Sequence, residues 1–326
     1  MTQMLLEERE KRQFTPRVTL VAIGIHLRRL RLLEPIFQKV RIPQKTVKFS
    51  PLEKLTDALI TILTGAHGWV EANKRVRPDP ALQQAFGRSG CAEQSVIQDT
   101  LDACTAENVR QMEEALALIY RQHSQGYRHP YQQKYQRLDI DLTGRPCGPK
   151  AAFATPGYFS RQRNRRGQQV GYVLATHYEE VVVEKVFTGK EQLNVALRPL
   201  VEAAERTLEL DEAKRRRTIL RIDAGGGSVQ QVNWLLERGY HLHGKDCSTQ
   251  RARNLAASVQ EWFPDSEDPN REFGWVTVPT EGSMCVRCAE SPFAAGRRTG
   301  NGAWGRFSPR WSRKKYGHWW ASCRRK

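Results

Sequence analysis

The sequence predicts an α/β chain, a mixed sheet with flanking helices preceded by an all-α N-terminal region, and three observations carry that expectation. Up to about residue 122 the apolar residues repeat at three and four positions, the period of a helix. Beyond residue 136 they gather into short runs rich in Val, Ile, Leu and Thr, which read as strands. Among these, Arg137 to Gly144 sets Leu138, Ile140 and Leu142 on one side of a strand and Asp139 and Asp141 on the other.

Residues 1 to 46 show no clear element. Ser50-Pro51-Leu52-Glu53 is a helix start, with Ser50 as N-cap, Pro51 at the first position and Glu53 closing a capping box. Leu52, Leu55, Leu59, Ile62 and Leu63 then form one apolar face. Pro80 to Phe86, a turn at Gly87 to Gly90, and Ala92 to Ala103 outline a helix-turn-helix, in which Gln94, Ser95 and Gln98 would reach base edges. Any small helical bundle has such turns, so a purely structural reading stands beside it. Thr105 or Asn108 caps a third helix, whose Val109, Met112, Leu116, Ile119 and Tyr120 make a core face. Residues 123 to 135 read as a polar linker, which makes 1–122 a helical DNA-binding region and 136–283 a second domain.

In that second domain, Gln169 to Ala175 and Glu180 to Phe187 suggest an antiparallel hairpin. Thr188 to Glu191 is a capping box opening a helix with Leu193, Leu197, Leu200, Val201, Ala204 and Leu208 on one stripe. A charged bend, Lys214 to Arg217, leads to a strand ending at Asp223. The Ala224-Gly225-Gly226-Gly227 turn follows, then a helix capped by Ser228 with Gln231 and stopped by Gly239, then a strand from Tyr240 to Gly244. Strands in antiparallel order followed by β-α-β crossovers are the order of an RNase H-like domain.

Fifty-two Lys and Arg against 35 Asp and Glu give a formal charge of +17, which favours a polyanionic partner such as nucleic acid. Residues 284–326 hold eight Arg, three Lys and one Glu, a surplus of ten. Seven scattered cysteines argue against a disulfide framework. Cys285 and Cys288 have half a zinc spacing, which His318 and Cys323 do not complete. No apolar run approaches the roughly 20 residues of a membrane helix, so the expectation is a cytoplasmic chain without a membrane partner.

Two carboxylates on one face of a strand repel, and they lose hydration if covered. A cation or an open cleft removes the objection; a strand end running into solvent does so too. If the strand of Asp141 neighbours the strand ending at Asp223, the two acids lie side by side and can share a divalent ion. Asp141-Leu142-Thr143, Asp223-Ala224-Gly225, the basic stretch Tyr158 to Gly167 and the stretch Glu71 to Pro80 together resemble the DDE transposases of bacterial insertion sequences. The resemblance covers roughly residues 50 to 280.

That resemblance implies DNA cleavage and strand transfer at transposon ends, by three carboxylates holding two Mg²⁺ (or Mn²⁺) ions. One ion activates water or a 3′-hydroxyl and the other stabilises the leaving oxygen. By position Asp141 is the first carboxylate and Asp223 the second. Asp139 is an outer or alternative acid, and Thr143 belongs to the Asp-x-Thr pattern. Arg161, Arg163, Arg165 and Arg166, between the first two strands, and Lys245 are implied DNA contacts. The implied partners are inverted-repeat and target DNA, with a homodimer in the synaptic complex.

The pattern breaks at the third carboxylate, a Glu set in Tyr-x-x-Arg-x-x-x-Glu-x-x-x-x-x-x-Lys in the family; no glutamate beyond Lys245 has those neighbours. From Met284 onward the chain is basic, rich in Trp and without periodicity, read as a disordered or out-of-frame tail. The expectation is a transposase unable to complete strand transfer. The alternatives are a non-catalytic DNA-binding fragment that occupies transposon ends and a two-acid nuclease of RNase H fold.

Overall fold

The computed structural model describes residues 14–46, 48–159, 162–226, 228–244, 249–264, 271–276, 293–298 and 319–321. The chain divides into two compact units, Met1–His123 and Ser124–Lys326.

The first unit is helical: Val18–Arg29, Glu34–Lys39, Pro51–Leu63, Ala72–Arg75, Pro80–Ala85, Gln94–Asp102 and Ala106–His123. Two of these helices lie in the stretch where sequence patterning shows no element. The first presents Leu20, Val21 and Leu27 to a core of Ile60, Val76, Leu82 and Phe86. Ser50 and Glu53 form the expected capping box, the Ser50 N–H donating to Glu53 Oε2 at 2.7 Å.

Arg88 is the polar centre of this unit. Its Nε donates to Asp57 Oδ1 at 2.8 Å, the Ala92 N–H donates to Asp57 Oδ2 at 2.9 Å, and the guanidinium lies 5.0 Å from the Phe49 ring. The Asp57 side chain is fully buried. Burial pushes its carboxyl up, and the Arg88 hydrogen bond works against that. A buried ion pair is costly to half-remove, because the surviving charge stays desolvated.

Helix Ala106–His123 differs from expectation. Val109 and Leu116 are exposed, whereas Asn108 and Ala115 are buried. Asn108 Nδ2 donates to Arg41 O at 2.7 Å, so a polar residue takes a buried position on this helix, which packs against Glu34–Lys39.

The second unit contains strands β1 (Gln136–Pro146), β2 (Thr155–Phe159), β3 (Gln162–Ala175), β4 (Glu180–Thr188), β5 (Thr218–Ile222), β6 (His241–Gly244), β7 (Trp262–Pro264), β8 (Arg271–Val276), β9 (Phe293–Arg298) and β10 (Trp319–Ala321). They form one mixed sheet in the order β2-β3-β1-β5-β6-β10-β9-β8-β7, with β4 also on β3. β1 runs antiparallel to β3 and β3 to β4, while β1, β5 and β6 are mutually parallel neighbours. The path β4-β3-β1-β5-β6 is the RNase H-like order. Helix Leu193–Leu208 lies on the face that carries Leu138, Ile140 and Val173, and buries Leu193, Leu197, Leu200 and Leu208. Gly171 makes this possible: a Cβ there would sit 2.8 Å from Leu200 Cδ1.

Several expectations change. The supposed linker is packed into the second unit by its aromatic residues. His129 Nδ1 is 2.7 Å from the Tyr178 hydroxyl, Tyr131 is buried with its hydroxyl on Gln136, and Gln136 Nε2 donates to Gly126 O at 2.9 Å. Thr188 ends β4, and the helix after it starts at Leu193 with no side-chain cap. Ser228 is the N-cap residue of helix Val229–Glu237, yet Gln231 turns away to Asn194 O and Arg198. Two pieces of the tail expected to be irregular, β9 and β10, are strands: backbone pairing with β8 and β6 needs no apolar alternation. The remainder of 284–326 lies outside the described residues.

The buried pair gives a stability prediction. Asp57→Ala should cost about 3–5 kcal/mol in urea unfolding. Arg110→Ala, which breaks only exposed pairs with Glu107 and Glu114, should shift the urea midpoint far less. Equal costs would contradict the central place given to Arg88.

Candidate metal and nucleic-acid site

The site is built by register. β1 pairs with β5 so that Asp139 is level with Arg221 and Ile140 with Ile222. One further step along both strands brings Asp141 level with Asp223, which directly follows β5. Adjacent strands are about 4.8 Å apart. Asp139, Asp141 and Thr143 share one face of β1, because side chains alternate, and that face is opposite the leucine-rich helix.

Asp141 is half-buried. Desolvation first, then the charges of Asp223 and Asp139, push its carboxyl up to about 6, with the Leu142 N–H pulling the other way. Asp223 is exposed, and its Oδ1 accepts the Gly225 N–H at 2.9 Å. Gly225 keeps that space open, since a Cβ there would lie 3.1 Å from Asp223 Oδ1. Gly226 serves packing instead: it is buried, and a Cβ would press on Leu193 Cδ2 at 3.1 Å.

Asp139 is engaged differently. Its Oδ2 is held by the Arg221 guanidinium, and its Oδ1 is buried without a hydrogen-bond partner. Sequence reasoning missed Arg221; the alternation that sets Asp139 and Asp141 on one face also puts Arg221 on the Asp223 side of β5, and that signal was there to use. Tyr172 of β3 stands opposite Asp141, and Glu184 of β4 stands opposite Tyr172. Glu184 therefore stands two strand spacings, about 10 Å, from Asp141, with Tyr172 between them. Thr143 is exposed near the strand end.

The basic candidates divide. Arg165 and Arg166 are exposed, but they lie within β3, paired with β2, and not in a connection between the first two strands. Being consecutive, they point to opposite faces. Arg166 Nη1 also donates to Ala154 O at 3.2 Å. The hairpin they stand on is close-packed, as a Cβ on Gly157 would collide with Gly189 O. Arg161 and Lys245 lie outside the described residues, as does the side chain of Arg163.

The charged bend at Lys214–Arg217 leaves Arg216 exposed but engages its neighbours. Arg217 stacks 4.1 Å from the Tyr135 ring and donates to Tyr131 O at 2.8 Å, and Arg215 Nε donates to Arg238 O at 2.9 Å. Helix Gln94–Asp102 exposes Ser95, but it carries two aspartates and no cation, and its Gln98 bonds Asp102 at 2.7 Å.

The donor set fits a hard divalent cation: Asp223 just past the carboxyl end of β5 and Asp141 level with it on the neighbouring parallel strand, with the remaining positions open to water and phosphate oxygen. Among the described residues no group of three or more His, Cys, Asp or Glu converges on one point. No described helix is long and apolar enough to cross a membrane.

No family model matches the chain, and no curated protein does. Among solved structures it is similar to a piggyBac transposase synaptic complex with hairpin DNA, at 9% identity over 94% of this chain and a TM-score of 0.36. The chain spans 59% of the length of that transposase. It is also similar to a pre-cleavage Mos1 transpososome, at 15% identity over 74% of this chain and 70% of that one, TM-score 0.22. A mariner Mos1 paired-end complex with Mg gives 15%, 72% and 69%, with a TM-score of 0.18. Likeness at this level leaves the case to the residues themselves.

The raised Asp141 carboxyl has a signed consequence. Its proton is held more tightly in the folded chain than in the unfolded one, so its ionisation opposes folding. Without divalent ions, this group's contribution to stability should fall as pH rises from about 4 to about 6. Asp141→Asn should remove that fall and melt higher than the parent above this window. A variant melting lower there, with the fall intact, would contradict the placement.

Proposed function

We propose that the chain is a DDE-type transposase of an insertion sequence, with Asp141 and Asp223 as the two carboxylates that hold Mg²⁺ or Mn²⁺ against a DNA phosphate. The observation that supports this reading is the β1–β5 register, which sets two acids 82 positions apart level with each other on neighbouring parallel strands. When bound, the ion would supply Lewis-acid stabilisation for phosphoryl transfer. Asp141 and Asp223 supply the negative charge that seats it, and the open side of Asp223 leaves room for the phosphodiester. Arg165 and Arg166, with Arg161, Arg163 and Lys245, hold the DNA backbone in this reading. The net charge of +17 favours the same partner. Inverted-repeat and target DNA are the proposed substrates, and a homodimer the proposed synaptic form.

The same reading gives a limit on activity. Two carboxylates seat one ion, and strand transfer by the two-ion route needs a further acid; none joins them among the described residues. We therefore infer a chain that binds transposon-end DNA and a single ion but does not complete transposition. This observation also favours the second reading, a DNA-binding polypeptide that occupies transposon ends without catalysis.

Asp141→Ala separates the two. In a Mn²⁺-supported nicking assay on inverted-repeat DNA, a residual enzyme should lose about 10²-fold or more in rate, with DNA affinity little changed. No cut by the parent chain, with tight binding kept, selects the pure binder. Robust transposition by the parent chain would contradict the inferred limit.

A further inference from the structure

Three carboxylates, Asp139, Asp141 and Asp223, occupy one sheet face within two strands, and any two could in principle seat a cation. Asp139 and Asp141 are two residues apart on one strand, about 6.6 Å between Cα atoms. Asp141 and Asp223 are one strand spacing apart. Nothing in the carboxylates themselves decides between these pairs. The neighbour does: Arg221 is in register with Asp139 and engages its Oδ2. The two side chains are 33% and 13% exposed, so the pair is shielded enough to be weakly screened. An Arg–carboxylate bond fixes direction as well as charge.

We propose that Arg221 is a positioning residue that selects the metal-binding pair, withdrawing Asp139 from the cation and leaving Asp141 with Asp223. The inference rests on the reading of Asp141 and Asp223 as a divalent-ion site and goes beyond it by assigning the choice of ligands to a cation that touches neither. Arg221 acts through Asp139. Removing its charge frees a carboxylate on the same face, and the ion then has a second way to bind. The geometry also explains why a β-strand tolerates acids at alternate positions: one of the two is neutralised by the next strand.

The experiment is Mn²⁺ binding to the full chain, followed by the loss of the electron paramagnetic resonance signal of free Mn²⁺. With Arg221 present, Asp141→Asn should weaken binding about 10-fold or more. In the Arg221→Gln background the same Asp141→Asn change should cost far less, because Asp139 replaces the lost ligand. Arg221→Lys keeps a cation beside Asp139, so in that background the full loss should return. Equal losses in the parent and Arg221→Gln backgrounds would overturn the inference while leaving the site reading intact.

A second measurement avoids any folding defect of the Arg221 variants. Asp139→Asn alone should lower Mn²⁺ affinity less than Asp141→Asn does, since a carboxylate held by Arg221 is not a ligand. A loss as large as that of Asp141→Asn would overturn the proposal. A parent chain that binds no Mn²⁺ would overturn the site reading and this inference together.

Discussion

The parallel pairing of β1 with β5 governs the rest of the second unit. It is made of backbone hydrogen bonds and apolar side chains: Leu138, Ile140, Leu220 and Ile222 are all buried, and helix Leu193–Leu208 packs on β1 from one side. Those contacts set the register, and register then dictates that Asp141 meets Asp223. A slip of one residue would turn the acids into the leucine face, so the hydrophobic pattern protects the site geometry. The core enforces a contact that the acids by themselves would avoid.

The electrostatics follow from that enforcement. Asp141 is held where water is partly excluded and where two other carboxylates face it, which raises its proton affinity. One neighbouring charge is met inside the protein by Arg221; the other, Asp223, is left facing solvent with a single backbone N–H on one oxygen. An uncompensated pair on neighbouring strands is the arrangement expected where a ligand, and not the protein, completes the charge balance. Arg88 with Asp57 in the helical unit is the contrasting case: a buried carboxylate met inside the protein by a cation and a backbone N–H.

Much of this was legible in the sequence where the signals are local. The Ser50–Glu53 box, the β3–β4 hairpin, the leucine stripe and the alternation around Asp141 each depend on neighbours a few residues away. What the sequence concealed depends on distant partners. Residues 124–135 look polar and linker-like until His129 and Tyr131 find Tyr178 and Gln136. The Lys214–Arg217 run reads as a charged bend until Tyr135 takes up Arg217 and Arg238 O takes up Arg215. Val109 and Leu116 fit a helical core face, yet Asn108 takes the buried position because it can bond Arg41 O. Alternation along β5 places Arg221 on the Asp223 side, but its pairing with Asp139 depends on a strand 82 residues away.

Anomalous diffraction from crystals of the chain soaked in Mn²⁺ tests the central claim most directly. The account predicts one peak between the carboxylates of Asp141 and Asp223, with Asp139 still turned to Arg221. A peak coordinated by Asp139 in place of Asp223, or none on this face of the sheet, would contradict it.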